Sequence, residues 1–304
     1  MTGPLLLFGA AGQVGCEFMA LARARNVDAH GVTRAEADIT SPGAVEQVVA
    51  RTRPRLIVNA AAYTAVDRAE QEPDLAAAVN VGGAENIARA AAHANVAVLH
   101  ISTDYVFDGS KTGPYVEHDP VAPLGAYGRS KAAGETRVQA ANPKAIILRT
   151  AWVYGAYGNN FLKTMLRLAA SRDRLRVVAD QHGCPTSTRD IAEAILAVDR
   201  VLADGRLAHG IFHFAGTGTT SWHGFARAIV EYQSDWTHKR PPVDAIPTVE
   251  YPTPARRPTN SELDSTLFER TFGYRAKPWP ERVRQTIDIL LGGEGAQRNA
   301  GGIP

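Results

Sequence analysis

Three side chains of this 304-residue chain have the types and spacing to move a proton onto a carbonyl oxygen. Tyr127 and Lys131 stand four apart in YGRSK, and that separation puts both on one face of a helix. A phenol with an ordinary pKa of about 10 is a weak acid at neutral pH. An ammonium beside it favours the phenolate and draws that value down. The pair can then hand a proton to an oxygen while hydride reaches the adjoining carbon. Thr103 ends the apolar run of HISTDYVF, and its hydroxyl can hold the same oxygen. Asp104 and Tyr105 follow it directly. A Y-x-x-x-K alone is common; the strand-end threonine upstream gives it weight.

A glycine turn supplies the second half of the chemistry. Gly9, Gly12 and Gly15 form GAAGQVG, with Gln13 and Val14 between the last two. The turn follows the run Leu5 to Phe8 and opens the helical pattern Val14 to Arg25. Glycines there let backbone approach a pyrophosphate, and a helix N-terminus adds free N–H groups. A simple tight turn is the bland alternative; position between strand and helix favours the dinucleotide. At the end of the weak second strand, Val27 to Thr33, stand Thr33 and Arg34 and no acid. That favours NADPH, with NADH possible, although Arg34 reads equally well as a surface charge. Asp38 follows, placed to bond an adenine amine.

These residues need strand ends and helix starts, and the pattern provides them. Leu56 to Asn59, Val96 to Ser102 and Ala145 to Leu148 read as buried strands. Ala44 to Arg51, a long alanine-rich stretch from Leu75 to Ala94, and Ser130 to Ala140 read as helices. Short apolar runs alternating with helices predict an α/β, Rossmann-type doubly wound parallel sheet. A smaller α/β substrate-binding domain follows. Its helices are Asn160 to Ser171 and Trp222 to Tyr232, with Thr188 to Leu202 and the strand Ile211 to Phe214 between them. We assign 1–155 to the cofactor domain, with 185–216 returning to it, and 156–184 with 217–292 to the substrate domain. Pro241 to Pro258 should run as extended loops, and 293–304 as a disordered tail.

Composition narrows the class. Hydrophobic residues are 45%, charged residues 21%, and net charge +2, which leaves no basic field for nucleic acid. Two cysteines, Cys16 and Cys184, make no disulfide framework and suit a reducing compartment. No run approaches the ~20 apolar residues of a membrane helix, and the N-terminal apolar run is too short for a signal peptide. The expectation is a soluble, cytoplasmic protein. His209 and His213 are four apart, but Gly210 intervenes and no further ligands accompany them, so no metal site is expected.

Taken in order, these motifs resemble the extended short-chain dehydrogenase/reductases, and within them the reductases of dTDP-linked 4-keto-6-deoxy sugars. The similar stretches are GAAGQVG, IVNAAAYTAVDRAE, VNVGGAENIA, HISTDYVFDG, YGRSK, LRTAWVYG, NNFLKTMLRLA, DQHGCPTS, GTTSW and YPTPARRPTNSELD. They run from residue 5 to about 265, nearly the whole chain. The resemblance implies Thr103, Tyr127 and Lys131 as catalytic residues. It implies Gly9, Gly12, Gln13, Val14 and Gly15 around the pyrophosphate, Asp38 and Ile39 at the adenine, and Ala60, Ala61, Ala62 and Tyr63 along the ribose side. Asp104, Tyr105, Trp152, Asn160, Gln181, Arg256 and Asn260 would face the sugar-nucleotide. Several have plainer readings: Asn59 and Asn80 as partners of backbone groups beside the sheet, Trp152 as core, Arg256 and Arg257 as surface charges.

The implied reaction is NAD(P)H-dependent reduction of the C4 keto group of dTDP-4-dehydro-L-rhamnose. Similar dehydratases carry an Asp-Glu pair after the catalytic threonine; here Tyr105 replaces the glutamate, which disfavours elimination. Two alternatives stay open: another nucleotide-linked 4-keto-6-deoxy sugar as substrate, or a non-catalytic NADP-binding regulatory subunit. Some members of the family dimerise through a magnesium cluster of glutamates. Here Arg189 falls near such a glutamate, so a monomer or weak homodimer is expected.

Overall fold

The computed structural model describes the backbone of residues 3–300 and the side chains of residues 3–292. Six strands form its central sheet: β1 (Leu5–Phe8), β2 (Ala29–Val32), β3 (Leu56–Asn59), β4 (Ala97–Thr103), β5 (Ala145–Thr150) and β6 (Gly210–His213). Their order is β6-β5-β4-β3-β1-β2, and every pair is parallel. This is the doubly wound sheet the alternating pattern predicted. Every residue of β1, β3 and β5 is buried, as required of strands covered on both faces.

The covering helices have amphipathic faces that explain the two cores. On one face, Phe18 and Leu21 of α1 (Gln13–Ala24) pack with Ile191, Ile195 and Val198 against Leu5, Leu7 and Val58. On the other face, Val45, Val48, Ile87, Ala88 and Val138 cover Leu6, Phe8, Ile57 and Ile147. The helix Thr188–Ala203 contributes to the first core and precedes β6 at the sheet edge. A third core, with Leu162, Met165, Phe225, Ile229, Val283 and Ile287, gathers the later helices.

Two segments differ from the sequence expectation. The stretch from Leu75 to Ala94 is broken: Pro73–Ala77 and Ala84–His93 are α-helical, but Ala78–Gly83 is a π-helical turn. Such widened turns cluster at functional sites. Here it directs buried Asn80 to the Tyr63 backbone, accepting from its N–H at 2.8 Å and donating to its carbonyl at 3.0 Å. The proline-rich region contains a strand, Val243–Ile246, paired parallel with Leu175–Val178. Its prolines, Pro241, Pro242 and Pro247, flank the strand and leave its ladder N–H groups intact. The expected disordered tail, 293–304, instead continues the last helix, Trp279–Ala300, in its backbone as far as Ala300, and 301–304 lie outside the described residues. Among the described residues no helix is long and apolar enough to cross a membrane.

Candidate active site

The chain leaves β1 for β2 on one side and reaches β3 on the other, so the crevice beyond these strand ends is a topological switch point. Two cavities lie there, of about 560 Å³ and about 460 Å³, sharing Ala11, Gly12, Ala60 and Ala62 as walls. They make one cleft that runs past the glycine turn.

The turn has the shape of a backbone cradle. Gly9 sits at φ +88°, and a Cβ there would meet the Ala61 nitrogen at 2.6 Å. A Cβ on Gly15 would lie 2.2 Å from the Gly9 carbonyl oxygen. Gly12 caps α1 with no side-chain bond, and the first turn holds no acid. The helix therefore points unclaimed N–H groups and a partial positive charge at the cleft, a fit for a dinucleotide pyrophosphate. Arg34, Asp38 and Ile39 line the smaller cavity with Ala61 and Tyr63. Ile39 is positioned by Asn86, which donates to its carbonyl at 2.9 Å. Arg34 pairs with Asp38 at 3.1 Å while remaining largely exposed. The Thr40 N–H and hydroxyl, then Arg34, hold the Asp38 carboxyl below its usual range.

Thr103, Asp104, Tyr105, Tyr127, Lys131 and Trp152 all line the larger cavity. Thr103 is the last residue of β4. Tyr127 and Lys131 occupy the first turns of the helix Ala126–Ala141. That helix begins earlier than the predicted Ser130, because Glu70 accepts from the Ala126 N–H at 2.7 Å. Gly128 lets it press on the strand end: a Cβ there would meet the Tyr105 carbonyl at 2.2 Å.

The electrostatics depart from the simple expectation that Lys131 acidifies Tyr127. Burial pushes the Tyr127 phenol up to about 12, against a hydrogen bond with Thr103, and the Asp104 charge adds to the rise. Lys131 is itself lowered to about 8 by burial, partly opposed by Glu135. Its Nζ is turned to the Ile101 carbonyl at 2.7 Å and to His100 Nε2 at 3.2 Å. Desolvation thus dominates both groups in the free protein. Asp104 accepts from the Thr103 hydroxyl at 2.9 Å, while its Oδ2 is buried without a hydrogen-bond partner. Burial pushes its carboxyl up to about 6. Tyr105, in place of an acid, packs edge-on against Tyr127 with ring centroids 5.6 Å apart.

Trp152 adopts φ +48°, a left-handed conformation that costs a non-glycine residue free energy. Its ring stacks on Trp222 at 3.6 Å, and Phe161 tilts onto Trp222 at 4.6 Å. Trp222 and Phe161 wall the cavity, yet no role was assigned to either from sequence. The GTTSW stretch held the usable signal: Ser221 caps a helix by accepting from the Gly224 N–H at 3.0 Å, and places Trp222 at its start.

Four predicted substrate residues are absent from the walls of both cavities. Asn160 caps a helix through Lys163 N–H and donates to Gln13 and the Gly155 carbonyl. Gln181 is buried and donates to the Thr248 hydroxyl. Asn260 donates to the carbonyls of Lys111 and Gly113. Arg256 is exposed, whereas its neighbour Arg257 is locked onto Asp67 at 2.8 Å. Asn160, Gln181 and Asn260 thus have hydrogen-bonding duties within the fold that spacing does not reveal. Arg189 lies 3.7 Å from Glu17 and 3.5 Å from Glu193. Among the described residues no group of three metal-ligating side chains assembles.

A doubly wound parallel sheet, a glycine turn at its switch point and a Tyr/Lys pair facing a strand-end threonine define a reductase of the extended short-chain type. Within that class, the chain belongs to the RmlD substrate binding domain family, whose match covers residues 2–291. The dTDP-4-dehydrorhamnose reductase of Sinorhizobium fredii is 46% identical over 289 residues, 94% of this chain and 97% of that protein. The solved dTDP-4-dehydrorhamnose reductase of Clostridium acetobutylicum superposes with a TM-score of 0.88 at 40% identity, covering 94% of this chain and 99% of that one. The Bacillus anthracis enzyme of the same name, solved in complex with NADP, gives 0.86 at 35% identity, with the same coverage.

Proposed function

We propose that this chain reduces the C4 keto group of dTDP-4-dehydro-L-rhamnose to give dTDP-L-rhamnose, with NADPH as the preferred reductant and NADH as a poorer one. The observation that carries the reading is the gathering of Thr103, Tyr127 and Lys131 on the larger cavity, continuous with the glycine-turn cavity. The names of the similar enzymes, and the NADP in one of them, supply the substrate and cofactor.

Gly9, Gly12 and Gly15 with the start of α1 would hold the pyrophosphate, and Arg34 a 2′-phosphate. When bound, the nicotinamide supplies the hydride. Tyr127 gives its phenolic proton to the oxygen at C4. The Thr103 hydroxyl turns from Asp104 to orient that oxygen. Lys131 stabilises the resulting phenolate when protonated. Trp152 and Trp222 form an apolar wall that excludes water from the reacting carbon. Tyr105 offers no carboxylate beside Asp104, so the pair of acids for eliminating water is lacking.

The test is oxidation of NADPH and NADH with dTDP-, UDP- and GDP-linked 4-keto-6-deoxy sugars, with the product identified by chromatography. The expected result is turnover of the dTDP sugar by this chain alone, fastest with NADPH. No turnover without an added protein partner would replace the reading with that of a regulatory subunit.

A further inference from the structure

Behind the catalytic pair runs a buried chain of hydrogen bonds that the reductase mechanism does not use. Asn59 and His100 are register partners on β3 and β4. Asn59, His100 and Lys131 are 1%, 1% and 2% exposed, so water cannot repair a mismatched donor there. The Ala61 N–H donates to Asn59 Oδ1 at 3.1 Å, which fixes the orientation of the amide. Asn59 Nδ2 then faces His100 Nδ1 at 3.0 Å as a donor. A neutral imidazole carries one proton, and with Nδ1 accepting, that proton sits on Nε2. His100 Nε2 lies 3.2 Å from Lys131 Nζ, which donates to the Ile101 carbonyl at 2.7 Å. Every donor meets an acceptor only if Lys131 offers His100 a lone pair. An ammonium at Lys131 would set two donors against each other.

We propose that Asn59 and His100 are positioning residues that hold Lys131 as the neutral amine in the cofactor-free protein. They make its protonation depend on turning the Asn59 amide. When Lys131 takes up one proton from water, His100 must present Nε2 as an acceptor and carry its own proton on Nδ1. Asn59 must then turn Oδ1 toward Nδ1, which releases the Ala61 N–H. Ala61 walls the smaller cavity, so an acceptor on the bound cofactor can take that N–H. Binding of the dinucleotide and charging of Lys131 become linked. The proposal rests on the reductase reading only for its activity measurement.

The groups around Lys131 agree with this direction. His100, from β4, is lowered first by burial and then by Lys131. Glu135 lies one turn along the same helix, but its carboxylate is held by Arg149 of β5 at 2.7 Å. Tyr127 is a buried neutral phenol, and Asp104 stands beyond it at the strand end. Burial and the His100 donor thus oppose the charge on Lys131, and Glu135 counters only in part.

Asn59→Asp reverses the chain's polarity without changing its shape. A carboxylate accepts from both Ala61 N–H and His100 Nδ1–H, and leaves Nε2 to accept from an ammonium. Titration of the Lys131 side chain by NMR of ε-carbon-labelled lysine, assigned through Lys131→Met, reads the charge directly in the cofactor-free protein. The parent should titrate well below an ordinary lysine, and Asn59→Asp at least one pH unit higher than the parent. The basic limb of kcat/KM should move up by a similar interval. If Asn59→Asp does not fold, His100→Gln, whose amide oxygen can turn to Lys131, should move the titration the same way. A parent Lys131 that titrates like a free lysine, or a titration unmoved by the folded variant, overturns the proposal. A parent that shows the NMR shift but turns over no keto sugar would instead count against the reductase reading.

Discussion

Two buried polar clusters hang from the helix Ala126–Ala141, their centres about two turns apart, and they are built on opposite terms. Around Glu135 every charge is answered. Arg149 donates to both carboxylate oxygens, Ser102 donates at 2.5 Å, and Arg149 Nη1 lies 3.5 Å from His213 Nε2. Around Tyr127 and Asp104 the bonds are fewer. Asp104 keeps an oxygen without a partner, and Tyr127 and Lys131 are both pushed toward their neutral forms by burial. The first cluster is a scaffold joining β4, β5 and β6 to the catalytic helix. The second carries unspent hydrogen-bonding capacity, which a bound molecule can satisfy. The contrast predicts that changes in one cluster unfold the protein, while changes in the other silence it.

The largest effect should come from Tyr127→Phe. Removing the proton donor is expected to lower kcat about 10²- to 10⁴-fold. Melting temperature should hardly change, because the phenol is a minor structural partner. Steady-state kinetics and calorimetry on one preparation check both halves, and a large stability loss would erase the contrast. Next comes the scaffold: Glu135→Ala leaves Arg149 as an uncompensated buried charge and should cost about 3–5 kcal/mol in urea unfolding. If the variant unfolds at the parent's midpoint, the Glu135–Arg149 pair is no scaffold.

The scaffold was also the harder cluster to read. Glycine turn, strand-end Thr103 and Y-x-x-x-K announce themselves because their chemistry needs a local order along the chain. The sheet announces itself because runs such as Leu5–Phe8 and Leu56–Asn59 must be apolar on both faces. The Glu135–Arg149–His213 cluster joins residues far apart in sequence, and its members look like ordinary surface charges until the sheet register puts Arg149 beside Ser102 and His213. Equally illegible were the bonds made by Asn160, Gln181 and Asn260. Each is a polar residue in a motif, and each turns out to bond a nearby backbone group or a single side chain. The π-helical turn at Ala78–Gly83 was hidden because good helix formers surround it; the bonds of Asn80 to the Tyr63 backbone and the Ser130 hydroxyl account for it.

A third effect sharpens the comparison through pH. The Asp104 carboxyl, ordinarily near 3.8, is raised to about 6 in the folded protein. A raised acid holds its proton in the native state more tightly than in the unfolded one. Its neutral form is tolerated below the unfolded value, and stability falls as pH rises from about 4 to about 6. The interval corresponds to about 3 kcal/mol at most. Asp104→Asn removes the titration. Its stability relative to the parent should therefore increase between pH 4 and pH 7, measured by urea unfolding at each pH. A difference that stays flat across that range would mean that the Asp104 carboxyl is already satisfied.

The smallest effect belongs to Arg34, at the rim of the smaller cavity. Its side chain is 78% exposed and paired with Asp38, so solvent and salt screen whatever charge it presents. A 2′-phosphate would compete with Asp38 for the guanidinium and gain a charge-assisted bond. Arg34→Ala should raise KM for NADPH about 3- to 10-fold, as expected for a contact of about 1 kcal/mol. KM for NADH should barely move, and the gap between parent and variant should narrow at high salt. Equal losses with both cofactors would instead assign Arg34 to holding Asp38 and the adenine side of the cleft, leaving cofactor choice to other groups on that wall.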